Sequence, residues 1–126
     1  MSDDVVLSEI RALRGTVAGV TETAVAAADG LLVAADSDRA HPEVIAALAA
    51  TALGLGGRAG YETGLGDLCE VVIRCAGGHV VVYAVPEDAL LVVVGGEELD
   101  LERLHIEAYA TIERLAPILI GQQSNA

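Results

Sequence analysis

The chain has 126 residues, 53% hydrophobic and 21% charged, with seven arginines, no lysine and nineteen acidic side chains for a formal net charge of −12. That length makes one domain able to bury about two-thirds of the surface its unfolded chain exposes, and the apolar content excludes disorder. A surface this negative repels phosphate backbones and anionic lipid heads, so nucleic acid is not expected as a partner. The longest apolar runs, such as 89–94, fall far short of the ~20 residues of a membrane span, so direct membrane insertion is not expected either.

The amino terminus, MSDDVVLSEI, is acidic where a secretory signal is basic, and the expected location is the cytoplasm. From Asp4 to about Ala18, Val6, Ile10, Leu13 and Val17 recur at intervals of four, three and four, which predicts an amphipathic helix with one apolar stripe. Glu22 to Ala28 and Leu31 to Ala35 then read as two strands joined by Asp29-Gly30. A two-residue turn of the favoured hand needs positive φ at both central positions, which Asp tolerates and Gly accepts freely. The polar stretch 36–40 leads to His41-Pro42, where proline suits a first helical turn, and a second helix runs to about Tyr61 before Gly64-Leu65-Gly66-Asp67 breaks the pattern.

Leu68 to Cys75 reads as a third strand, turned back at Gly77-Gly78 into His79 to Val85, and Pro86-Glu87-Asp88 turns the chain again into Ala89 to Val94. The last two strands are almost continuously apolar, the pattern of central strands covered on both faces. Asp100 is placed to cap a final helix with the stripe Leu101, Leu104, Ala108, Ile112, Leu115 and Leu119; Pro117 sits near its end, and the polar residues 122–126 are expected to fray. The order α-β-β-α-β-β-β-α predicts an α+β fold, a single five-stranded antiparallel sheet with helices on both faces. It forms one domain over 1–126, with a core at about 5–119 and a polar tail at 120–126.

Motifs of chemistry are thin. Serines 2, 8, 37 and 124 lie at the ends or in a loop, without a base, and the carboxylate pairs Glu97-Glu98 and Glu87-Asp88 sit in turns. His41, His79 and His105 read as structural. Residues 54–59 match a dinucleotide fingerprint by letter, but they lie late in a helix where that motif must follow a strand and open one; a phosphate-binding loop needs a lysine, and there is none. Cys69 and Cys75, six residues apart on one strand, stand about 20 Å apart, too far for a disulfide within the chain, and are expected as buried free thiols. No catalytic residue, cofactor or metal is expected.

The signals of association are stronger. Gly54, Gly56, Gly57 and Gly60 each cost about 1 kcal/mol relative to alanine inside a helix, so something must approach that helix closely. Ala46, Ala50, Gly54 and Gly57 form a flat strip, with Leu53 and Tyr61 beside it. Read as a surface for another copy, it leaves Ile45, Leu48, Ala52, Leu55 and Ala59 to cover the sheet; the other reading packs the strip on the chain's own sheet. In the third strand Cys69, Val71, Ile73 and Cys75 share one face, and Glu70, Val72 and Arg74 the other. An apolar edge strand invites a partner strand. Two-fold antiparallel pairing centred on Val72 sets Glu70 opposite Arg74 of a second copy, and Cys69 opposite Cys75.

Gly19-Val20, Ala24-Val25, Asp29-Gly30-Leu31 and Ala34, the alanine-rich second helix and the apolar strand pair 79–94 together resemble the roadblock/LC7 family over about residues 5–119. Profilin-like and longin-like proteins reuse a similar sheet. The resemblance implies homodimers paired through the second helix, and prokaryotic members that act with Ras-like small GTPases. The expectation is a non-catalytic homodimeric regulatory or scaffold protein that binds such a GTPase and modulates its nucleotide cycle or localisation. Two alternatives stay open: a structural adaptor subunit without a GTPase, and a small-molecule sensor using the space between sheet and helices. Arg58 is read as covering the surface or pairing with Glu62, with insertion into a GTPase site as the other role.

Overall fold

The computed structural model describes residues 2–39 and 41–124, in the order α1 (Ser2–Thr16), β1 (Val20–Ala27), β2 (Leu32–Asp36), α2 (Pro42–Thr63), β3 (Glu70–Cys75), β4 (Gly78–Val85), β5 (Ala89–Gly96) and α3 (Leu101–Ser124). The strands form one antiparallel sheet in the order β2-β1-β5-β4-β3. The predicted fold class and element order are those observed, and β2 and β3 are the two edges.

The centre of the sheet is dictated by its sequence. Ala89 to Val93 of β5 are all buried because alternate side chains meet two different layers. Leu91 and Val93 join Val25, Val81 and Tyr83 under α1 and α3, where the predicted stripes Val6, Ile10, Leu13 and Leu104, Ala108, Leu115 are buried. Leu90 and Val92 face the other way, joining Ala24, Ala26 and Val82 under Ala46 and Ala49 of α2. Fully burying each such leucine or valine is worth about 1.5–3 kcal/mol, so the sheet is fixed from both sides.

The hairpin turn differs from the expected form. Ala27 pairs with Leu31 through an N–H donated to the Leu31 carbonyl at 2.9 Å, and Gly30 N–H returns to Ala27 at 2.9 Å, so the loop has three residues rather than two. Only Gly30, at φ +93°, takes positive φ, as in a tight turn followed by one left-handed residue. The Ala28 N–H is drawn into the loop by the Asp88 carbonyl of the neighbouring turn, at 2.8 Å, while Asp29 Oδ1 accepts from Leu31 N–H at 3.0 Å.

Helix ends follow local chemistry. Pro42 opens α2, which ends at Thr63, two residues beyond the predicted Tyr61, and Gly64, left-handed at φ +71°, closes it. Asp100 caps α3, accepting from Arg103 N–H at 3.2 Å. This helix continues through Pro117 to Ser124, three residues into the segment expected to fray; 125–126 lie outside the described residues. By length and composition α2 is apolar enough to cross a membrane; in this fold it lies along the sheet and carries Glu43, Arg58 and Glu62.

Candidate partner interface

The second helix presents two apolar faces, and the structure assigns them differently from the sequence reading. Ala46 and Ala49 are buried against the sheet, with Ile45, Ala50 and Leu53 half-buried beside them. The residues expected to cover the sheet are instead split. Leu48 and Leu55 point to solvent at 62 and 71% exposure, beside the neighbouring Val44 at 52%, and Ala59 is exposed with them, whereas Ile45 and Ala52 are half-buried. The reason is steric: alanine lets the helix backbone lie close to a flat valine sheet, and the large leucines turn outward. Ala46 is therefore a core residue, with no surface to offer a partner, and Leu53 lies half-buried at the margin of the same cluster.

The glycines separate in the same way. A Cβ on Gly56 would lie 2.7 Å from Leu68, and one on Gly60 would lie 2.3 Å from the Gly66 carbonyl oxygen, so both allow close approach within the chain. Gly54 and Gly57 have nothing within 4 Å of that position. Gly57 and Tyr61 line an open groove of about 410 Å³ with Gly60, Gly64, Gly66, Asp67 and Leu68, and Tyr61 is 79% exposed. The outer face of α2 thus combines exposed large apolar side chains with two glycines that no contact in the chain explains.

The edge strand β3 adds a polar ladder. Cys75 pairs with Gly78 across the two-residue turn Ala76-Gly77, and the Cys69 carbonyl accepts from Ala84 N–H at 3.0 Å. Alternation along an antiparallel ladder then turns the backbone groups of Cys69, Val71, Ile73 and Cys75 toward β4, and those of Glu70, Val72 and Arg74 outward. Val72 and Ile73 are 42 and 40% exposed. The Tyr109 hydroxyl of α3 donates to Glu70. Among the described residues Arg74 and Arg11 have no ion pair, whereas Arg39, Arg58, Arg103 and Arg114 each have one and Arg14 has two.

Behind the edge lies a small aromatic cluster. Tyr109 and Tyr83 meet edge to face at 5.4 Å, and the Tyr83 hydroxyl hydrogen-bonds His105 Nδ1 at 2.7 Å. Both phenols are pushed well above their ordinary range. Burial is the main cause for each, joined at Tyr109 by its hydrogen bond to Glu70 and at Tyr83 by the neighbouring Tyr109. His105 is thus tied to the buried Tyr83. Arg58 is taken by Glu62 at 2.7 Å.

A concavity of about 450 Å³ at the β3–β4 turn is lined by Arg74, Cys75, Ala76, Gly78, His79 and Glu97; the His79 Nδ1 atom there is buried without a hydrogen bond. Among the described residues no three His, Cys, Asp or Glu side chains gather as a metal site. Cys69 and Cys75 are free, but both are exposed rather than buried, because the edge strand has no neighbour to cover them.

The sequence matches the Roadblock/LC7 domain model over residues 7–95, and the chain belongs to that family. Its structure is similar to that of a Roadblock/LC7 domain from Streptomyces avermitilis, 26% identical with a TM-score of 0.84 over 93% of this chain and 97% of that one. It is also similar to MglB in a tetrameric arrangement, 17% identical, TM-score 0.86, covering 94% and 90% of the two chains. The gliding protein MglB of Thermus thermophilus is 20% identical, with a TM-score of 0.77 over 93% and 87%. No curated protein sequence matches the chain. The family is regulatory and adaptor in character rather than catalytic.

Proposed function

We propose that this chain is a non-catalytic, homodimeric cytoplasmic module that binds a Ras-like small GTPase and modulates its nucleotide cycle or localisation. The observation that carries the reading is the junction of two unsatisfied surfaces: the outward backbone row of β3 and the exposed apolar face of α2. An unpaired edge with a self-complementary sequence is a template for a second copy. Centred on Val72, a two-fold pairing uses all three outward residues of each chain, Val72 with Val72 and Glu70 with Arg74. Net gains of about 0.5–1.5 kcal/mol per hydrogen bond supply several kcal/mol along such a ladder. The Arg74 side chain, without an ion pair among the described residues, meets a Glu70 carboxylate already oriented by Tyr109.

A two-fold of this kind stands perpendicular to the sheet and carries both α2 helices to the same side of a ten-stranded sheet. Val44, Leu48, Leu55 and Tyr61 of both copies then lie on one apolar surface, fringed by Gly54 and Gly57. Among the described residues neither copy brings a nucleophile with a base to that surface, so the reading assigns it to recognition. A charge of −12 per chain favours a partner with a basic docking face. The family's prokaryotic association with Ras-like GTPases supports the partner class.

The test is retention of host proteins on the tagged chain, run once with GDP and once with a non-hydrolysable GTP analogue, with identification by mass spectrometry. Recovery of a small GTPase in a yield that depends on nucleotide supports the proposal. Recovery of other proteins alone, equally in both arms, replaces it with a structural adaptor.

A further inference from the structure

Two exposed free thiols bracket the edge strand, Cys69 just before β3 and Cys75 at its end, on the face shared by Val71 and Ile73. Both belong to the set whose backbone groups turn toward β4. When the outward set Glu70, Val72 and Arg74 makes the hydrogen-bonded pairs with a second copy, the inward set falls at the non-hydrogen-bonded positions, where opposed Cα atoms approach to about 4.5 Å. Centred on Val72, those positions pair Val71 with Ile73 and Cys69 with Cys75, each twice by symmetry. The separation lies within the ~4.4–6.8 Å window of disulfides, whereas the two cysteines of one chain are about 20 Å apart.

We infer that Cys69 of each copy and Cys75 of the other form two symmetry-related intermolecular disulfide sites, which lock the β3 junction under oxidising conditions. The inference rests on the homodimer proposed above and adds to it a fixed register and a redox control. The oxidant is a low-molecular-weight disulfide. One cysteine thiolate attacks it, its S–S bond breaks, and a small thiol leaves. The opposing cysteine thiolate then attacks the mixed disulfide and displaces the second small thiol. Each link oxidises two protein thiols and reduces one small disulfide, and the two protein protons end on the released thiols. A thiol reductant reverses both steps, so the lock is a switch rather than a permanent staple, in keeping with the scarcity of lasting disulfides in reducing compartments.

The register sets the test. The full chain and its Cys69→Ser and Cys75→Ser variants are fully reduced, sized by sedimentation, then equilibrated with oxidised glutathione and measured by non-reducing electrophoresis and intact mass. The wild type is expected to become a covalent dimer of twice the chain mass less four hydrogens, one that no longer dissociates on dilution. Each serine variant alone is expected to give no covalent dimer, and an equimolar mixture of the two to give a singly linked heterodimer. A reduced dimer without these links, or one in which a single-cysteine variant links to itself, overturns the register and the switch while leaving the dimer intact. A reduced chain that sediments as a monomer and forms no link overturns this inference together with the homodimer.

Discussion

Tyr109 of α3 donates its hydroxyl to the carboxylate of Glu70 on β3, 39 residues earlier, and so ties the last helix to the free edge of the sheet. The bond fixes Glu70 on the α3 face, where Arg74 of a second copy arrives in the proposed register. Tyr109→Phe removes the donor and leaves the carboxylate free to rotate. Chemical denaturation is expected to show a loss of about 1 kcal/mol. The dimer dissociation constant should rise a few-fold.

Charge at the same edge is testable by reversal. Glu70→Arg places like charges opposite one another at two symmetry-related pairs, each costing about 0.2–1 kcal/mol. The dissociation constant measured by sedimentation should rise with the substitution. Adding Arg74→Glu restores opposite signs and should recover part of the affinity.

Alkaline pH should loosen the fold through the aromatic cluster. Tyr83 and Tyr109 are raised from an ordinary value of 10.0, so the folded state holds their protons more tightly than the unfolded chain. Their contribution is complete below about pH 10 and is lost as pH rises through the unfolded value toward the folded ones. Stability followed by denaturant midpoint should therefore fall above pH 10, and phenolate absorbance should show two late-titrating tyrosines. Tyr83→Phe should shrink the late fraction.

The two faces of α2 should respond oppositely to a negative charge. Leu48→Glu and Leu55→Glu lie on the exposed face and should change stability by no more than about 0.5 kcal/mol, while reducing dimerisation or GTPase retention strongly. Ala49→Glu drives a carboxylate beneath the helix, beside Leu90 and Val92. That variant is expected to lose several kcal/mol, or to fail to fold.

Glycine-to-alanine substitutions separate contacts within the chain from those between chains. Gly60→Ala brings a methyl group 2.3 Å from the Gly66 oxygen and should destabilise the fold. Gly54→Ala meets open space, so thermal stability should rise by about 0.5–1 kcal/mol from helix propensity. A simultaneous weakening of self-association identifies Gly54 as a place where another backbone approaches.

The architecture was legible because period and burial agree. Val6, Ile10, Leu13 and Val17 repeat as a helix must, and the run from Ala89 to Val94 cannot be solvated on either face. The α2 face was not legible. Both arcs of that helix are apolar, and residue size misleads: proximity to the sheet selected the alanines for burial and left Leu48 and Leu55 outside. The role of Tyr109 was not legible, because it depends on a partner 39 residues away that no local pattern encodes. Exposure of Cys69 and Cys75 follows from β3 being an edge strand, as its sequence suggested, with no layer over that part of its face, which strand sequence does not encode.

The homodimer is tested most directly by sedimentation of the reduced chain beside Val72→Pro. The Val72 N–H points away from β4, so proline at that edge position removes no hydrogen bond within the chain but blocks the centre of the junction. The account predicts a dimeric wild type and a folded, monomeric Val72→Pro variant with a melting temperature within a few degrees of it. A wild type that sediments as a monomer, or a Val72→Pro variant that dimerises as tightly as the wild type, contradicts it.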